Sequence, residues 1–108
     1  MTQEITALYD DIHALLEQPL EAAEPRLRER LEHTLTEGYA RALALEGERF
    51  RLERRMGQLA GELDGEPEPS TAELATVARR LGDADAELTR LRAVLKALRV
   101  RVGEARDR

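Results

Sequence analysis

The sequence of 108 residues contains no cysteine and no tryptophan, and only 3% of its residues are aromatic. The absence of cysteine excludes disulfides, thiolate metal sites and cysteine nucleophiles. Charged residues make up 36% of the chain, which is more than an ordinary globular domain carries. The composition therefore predicts elongated helices with narrow apolar seams.

Long apolar runs and catalytic motifs are missing as well. No segment approaches the roughly 20 apolar residues of a membrane-spanning helix, and the first 18 residues lack the basic start and apolar stretch of a signal peptide. We therefore expect a cytoplasmic protein without a membrane partner. The sequence has no glycine-rich phosphate loop, nucleophile elbow or zinc-ligand spacing, so we expect no enzymatic activity and no cofactor.

Sixteen of the seventeen basic residues are arginine, and Lys96 is the only lysine. We interpret this bias as the codon usage of a GC-rich bacterial genome. Arginines are clustered between residues 49 and 55, but Glu53 lies among them, Glu46 and Glu48 directly precede them, and the net charge is −5. Binding to phosphates needs a positive face, so we expect no nucleic-acid partner.

Leucines recur at helical spacing along the whole chain. Apolar residues three or four apart predict a first amphipathic helix over about 3–17, which Pro19 ends because proline cannot donate the helical hydrogen bond. A second helix is predicted over about 24–64, with Pro25 in its first turn. Its seam comprises Leu31, Leu35, Gly38, Ala42, Leu45, Arg49, Leu52, Met56, Leu59 and Leu63.

A third helix is predicted over about 70–104, after an acidic turn of proline and glycine at 65–69. Ser70 and Glu73 match a capping box at its start. Its seam keeps an unbroken spacing of three and four, which is typical of a coiled coil and favours continuity through Gly82 over a break there. The seam residues are Leu74, Val77, Leu81, Ala84, Leu88, Leu91, Leu95, Leu98 and Val102.

The second and third helices have similar lengths and a short connection, which predicts an antiparallel coiled-coil hairpin. We therefore expect an all-α fold of three helices in one domain over 1–108, dimerising into a helical bundle. One register pairs Leu63 with Leu74, Met56 with Leu81, Leu52 with Ala84, Ala42 with Leu95 and Gly38 with Leu98. This register also brings Glu48 near Glu87 and Arg55 near Arg80, so either the register differs or the helices also pair between chains.

Four apolar side chains lie outside the two seams. Tyr39, Leu43 and Phe50 widen the apolar face of the second helix, and Val94 does so on the third. We expect the first helix to fold back at Pro19 onto this face, which leaves a bare two-helix arm near the turn. Two helices bury little surface, so the arm is a candidate for self-association. If the first helix leaves the face, a groove opens for the amphipathic helix of a partner.

Arg49 occupies a core position of the second seam. A single polar core residue sets the register or the oligomeric state in many coiled coils, at a cost in stability. The simpler alternative is that its long stem snorkels toward a carboxylate such as that of Glu87. The role in specificity is the functional hypothesis for this residue.

The only two histidines each share a helix face with a carboxylate. Asp10 lies three residues before His13, and Glu29 lies four residues before His33. Carboxylate-bundle metal sites use glutamate and histidine three residues apart on two helices, together with further glutamates. The match is partial, so solvated polar faces are the favoured interpretation and a metal site is the second alternative.

These features predict a non-catalytic coiled-coil protein with a structural or adaptor role that pairs with itself. The alternative is a small chaperone-like module that binds a partner's amphipathic helix. In its leucine spacing and hairpin length the layout resembles that of flagellar and type III export chaperones. The resemblance implies helix binding but assigns no role to any residue, and the chain lacks the asparagine that some such families carry near their C-terminal helix.

Overall fold

The computed structural model describes residues 2–19, 25–62 and 67–107. These residues form three helices: α1 (Thr2–Glu17), α2 (Pro25–Glu62) and α3 (Pro67–Arg106). The described ranges contain no β-strand, and α2 packs against α3 as a helical hairpin. The predicted all-α, three-helix fold is therefore confirmed. Within the described part, no helix is long and apolar enough to cross a membrane.

The start of α3 differs from the prediction. The helix begins at Pro67, so Ser70 lies within it and is not the predicted cap. Proline is tolerated in a first helical turn because the backbone N–H groups there have no helical acceptor. Glu73 accepts hydrogen bonds from Arg55 on α2. The predicted turn residues 65 and 66 lie outside the described residues.

The chain divides into two compact units. The first combines residues 1–42 with residues 91–108, and the second consists of residues 43–90. The first unit therefore contains α1 together with parts of α2 and α3, whereas the second contains only parts of α2 and α3.

The core of the first unit is built from all three helices. α1 buries one face, as its spacing predicts, because residues three and four apart lie on the same side of a helix. Ile12, Leu31, Leu91 and Leu98 are fully buried at its centre. The other buried apolar side chains are Ile5, Leu8, Tyr9, Leu15, Leu27, Ala42, Leu95, Val102 and Ala105.

The core of the second unit follows the two predicted seams but is less completely covered. Its buried apolar side chains are Leu45, Leu59, Val77, Ala84 and Leu88. Leu52, Met56, Leu74 and Leu81 also lie on the seams but are only half-buried. Two packed helices cover one stripe of each other, so the seam edges of this unit remain in contact with solvent.

Two contacts of the hairpin differ from the predicted pairings. A Cβ atom at Gly38 would collide with the side chain of Leu95, and no atom of Leu98 lies among its nearest neighbours. In the second unit, Arg49 pairs with Asp85 and Arg55 pairs with Glu73. Arg55 thus meets a carboxylate instead of the arginine that the predicted register placed beside it.

The position of α1 contradicts the expected one. Asp11 and Leu15 of α1 line a groove with Thr34 and Glu37 of α2, while Tyr39 remains 46% exposed. The prediction was wrong because α1 packs on a different side of α2. That side includes Thr34, which is buried, and Arg41, whose Nε is buried, and both read as polar in the sequence.

Candidate interaction surface

Three of the four apolar residues predicted to form a partner-binding face are exposed. Tyr39 is 46% exposed, Leu43 70% and Phe50 60%. Leu43 and Phe50 lie in the second unit, where their spacing of seven places them on one face of α2, whereas Tyr39 belongs to the first unit. Val94 on α3 is half-buried and is therefore the weakest member of the predicted face. Large apolar side chains grouped on a surface are typical of interaction sites.

Open positions on α2 extend this surface within the second unit. A Cβ atom at Gly57 would meet nothing within 4 Å, and one at Gly47 would meet only Nη1 of Arg51, at 3.5 Å. The guanidinium carbon of Arg54 lies 5.9 Å from the centre of the Phe50 ring, a cation–π geometry. The signal for these positions in the sequence is their spacing from Leu43 onward, which alternates between four and three.

We define the α2 face as Leu43, Gly47, Phe50, Arg54 and Gly57. Two of its five positions carry large, solvent-exposed apolar side chains, and two are glycines, of which Gly57 has open space above it and Gly47 has only Nη1 of Arg51 nearby. A helix can approach closely where glycine removes the side chain. The face therefore combines apolar area with room for close helix packing.

Arg49 lies at the edge of the seam and not within the core. Its side chain is 42% exposed, and its Nε lies 3.0 Å from Oε1 of Glu53 and 3.0 Å from Oδ1 of Asp85. The expectation that its stem snorkels to a carboxylate across the hairpin holds, with Asp85 as the acceptor in place of Glu87. A role in register or oligomeric specificity stays a prediction.

Replacing Arg49 with leucine tests that role. Because exposed ion pairs contribute at most about 1 kcal/mol, we expect Arg49→Leu to leave the free energy of unfolding unchanged or raised. If Arg49 specifies the oligomer, the variant will change its molar mass in light scattering at micromolar concentration. An unchanged mass would restrict Arg49 to the ion pairs within its own chain.

The two histidines do not assemble a metal site with their predicted carboxylates. His33 bonds through Nε2 to Oε1 of Glu37 at 2.7 Å, whereas the predicted partner was Glu29. His13 and Asp10 are both exposed. Across the ranges that the structure describes, no group of three or more His, Cys, Asp or Glu residues could hold a metal ion.

A groove of the first unit lies between α1 and α2 and has a volume of about 480 Å³. Its lining residues are Asp11, Leu15, Glu29, Arg30, His33, Thr34 and Glu37. Three carboxylates, of Asp11, Glu29 and Glu37, line it together with the guanidinium of Arg30. After the end of α1, Arg101 donates a hydrogen bond to the backbone carbonyl of Gln18, a contact that the sequence does not predict.

Comparisons of the chain with protein-family models, with curated protein sequences and with solved structures found no match. Functional inference therefore depends on the chemistry of the surface. The α2 face can contribute apolar burial, close helix packing and flanking ion pairs to an interface between proteins.

Proposed function

We propose that this chain is a non-catalytic helical-hairpin protein that pairs with itself and serves a structural or adaptor role. The main support is the exposure of Leu43 and Phe50 at 70% and 60%. Burial of a large apolar side chain contributes about 1.5–3 kcal/mol, and aromatic side chains are frequent at the energetic centre of interfaces. A second copy of the chain would supply that burial.

The charge distribution supports protein partners over nucleic acids. Arg49 and Arg55 of the arginine-rich segment are already paired with Asp85 and Glu73. A net charge of −5 would repel a phosphate backbone. The proposal accordingly includes neither a nucleic-acid partner nor a membrane partner, and it assigns the protein to the cytoplasm of a bacterium.

Sedimentation equilibrium or light scattering over a wide concentration range tests self-association. We expect the molar mass to rise from the 12.2 kDa of one chain to twice that value at micromolar concentrations. The free energy gained by burying the apolar side chains would then exceed the entropic cost of association. A mass of one chain at every concentration would contradict the proposal.

The second candidate function is chaperone-like capture of a partner's amphipathic helix. The exposure of Tyr39, Leu43 and Phe50 supports it, since these side chains are accessible while α1 is packed in the first unit. A pull-down from the native host should compare the wild type with Leu43→Glu/Phe50→Glu. A stoichiometric partner that is lost with the variant would favour this candidate, whereas recovery of this chain alone would favour the homodimer.

A further inference from the structure

We propose that two copies of this chain pair in parallel through the α2 face, so that equivalent positions of the two α2 helices meet. The inference rests on the proposed self-association and adds its surface and orientation. All of the residues that carry it lie in the second unit, on one helix.

The spacing of the α2 face along the helix supports pairing with a second helix. Leu43, Gly47, Phe50, Arg54 and Gly57 alternate between four and three residues apart, which is the core spacing of a coiled coil. This series lies on a different side of α2 from the seam that packs against α3. Leu43 and Phe50 occupy equivalent heptad positions, and in a parallel pair each would meet its counterpart in the second copy.

The glycine positions of the α2 face leave room for a second helix. Gly57 has open space where a side chain would lie, and at Gly47 that space holds only Nη1 of the flexible Arg51 side chain, so two helices can approach closely between the large side chains. Arg54 occupies the remaining core position and lies over the ring of Phe50. A charged residue in such a seam lowers the stability of the pair. We therefore expect a reversible dimer and not a permanent one.

The charged residues beside the α2 face favour one orientation of the two helices. Glu46 precedes Gly47 and Arg51 follows Phe50, so an acid and a base flank opposite edges of the α2 face, and both are exposed. In a parallel pair, the residue before one core position lies close to the residue five positions later on the second helix. Glu46 would then face Arg51 of the second copy, and the symmetry of the dimer would repeat this pair.

An antiparallel pair would bring like edges together. Glu46 would lie near Glu53 of the second copy, and the two Arg51 side chains would lie along one edge. Like charges across an interface are unfavourable and suppress the wrong arrangement. Charge complementarity therefore favours the parallel pair of identical chains.

Cysteine crosslinking tests the orientation directly because the chain has no native cysteine. In the parallel pair, Leu43→Cys places two thiols side by side, and mild oxidation should yield a crosslinked dimer. If Phe50 instead packed opposite Gly47 in an antiparallel pair, the two copies of position 43 would lie about 16 Å apart along the helices. A disulfide spans a Cα separation of less than about 7 Å, so the antiparallel pair would not crosslink.

Val100→Cys is the matched control, since Val100 is 58% exposed on α3 and lies outside the α2 face. It should not crosslink under the same conditions. Leu43 and Val100 are both exposed, so neither substitution disturbs a core, and circular dichroism should show unchanged helicity. Equal crosslinking of the two variants would indicate random collision and would overturn the inference.

Charge reversal provides a second test in solution. Glu46→Arg and Arg51→Glu should each raise the dissociation constant about tenfold, because two attractive pairs become two repulsive ones. The double variant Glu46→Arg/Arg51→Glu should restore the wild-type value. Phe50→Ala should weaken the dimer at least as strongly as either single reversal.

The outcomes separate the inference from the proposed function. A wild-type dimer that neither crosslinks through position 43 nor responds to Phe50→Ala would overturn the inference and leave self-association intact. A chain that stays monomeric at all concentrations would overturn both. Failure of the double variant to recover would contradict the parallel orientation.

Discussion

Leu91→Ala is expected to lower the free energy of unfolding by about 2–5 kcal/mol, as truncation of a fully buried leucine does. Leu91 is 0% exposed and lies on α3 in the core of the first unit. The loss combines the apolar contacts of the removed methyl groups with the cavity that remains. Since a small domain is stabilised by only about 5–15 kcal/mol in total, this single change should shift the urea midpoint strongly.

Leu43→Ala is the matched control because it removes the same atoms from a side chain that is 70% exposed. At a concentration where the chain is monomeric, the control should change the free energy of unfolding by no more than about 0.5 kcal/mol. Urea unfolding followed by circular dichroism measures both variants. Similar effects at Leu91 and Leu43 would mean that the α3 seam is not the core.

The seams were predictable because a helix fixes the direction of its side chains whatever it packs against. A spacing of three and four gathers Leu88, Leu91 and Leu95 on one side of α3 before any partner is known. All three are buried as predicted. The unbroken spacing also predicted that α3 continues through Gly82, and the helix does run without a break there.

The placement of α1 could not be predicted because it depends on side chains that look polar. Thr34 is buried and Arg41 buries its Nε on the side of α2 that lies near α1. An arginine can cover apolar surface with its stem, so residue type alone does not separate the covered side from the open one. A pattern that counts only apolar residues favours the side of Tyr39, which stays exposed.

The candidate surface is exposed for a different reason from the one that the sequence suggested. Leu43 and Phe50 were identified because they are large apolar side chains outside the seam. Their exposure follows from the position of α1, which the sequence does not determine. Gly47 and Gly57 were missed because a glycine in a helix usually reads as a weak point and not as room for a second helix.

The hairpin register was the other feature that the sequence could not determine. Sliding one helix by part of a heptad keeps both seams in contact, so apolar spacing alone constrains the register weakly. Exposed charge pairs contribute little energy and also fail to select one register. Close contacts such as that between Gly38 and Leu95 are what distinguish one alignment from another.

Gly38→Ala should therefore be destabilising by about 1–3 kcal/mol, the usual cost of overpacking a core. The direction is diagnostic because alanine in a helix interior normally gains about 1 kcal/mol over glycine. At Gly38 the added Cβ would collide with Leu95, which is buried and 3% exposed. Gly103→Ala in the same unit is the control, since its Cβ meets nothing within 4 Å, and it should stabilise the chain by up to about 1 kcal/mol.

A double-mutant cycle then identifies the partner of Gly38. In a Leu95→Ala background the space is vacated, so Gly38→Ala should become neutral or stabilising, with a coupling energy of about 1–3 kcal/mol. In a Leu98→Ala background the clash with Leu95 remains, and Gly38→Ala should keep its full cost. Coupling to Leu98 in place of Leu95 would mean that the helices are aligned as the sequence pairing suggested and not as the structure has them. Urea unfolding of the four variants in each cycle provides the free energies.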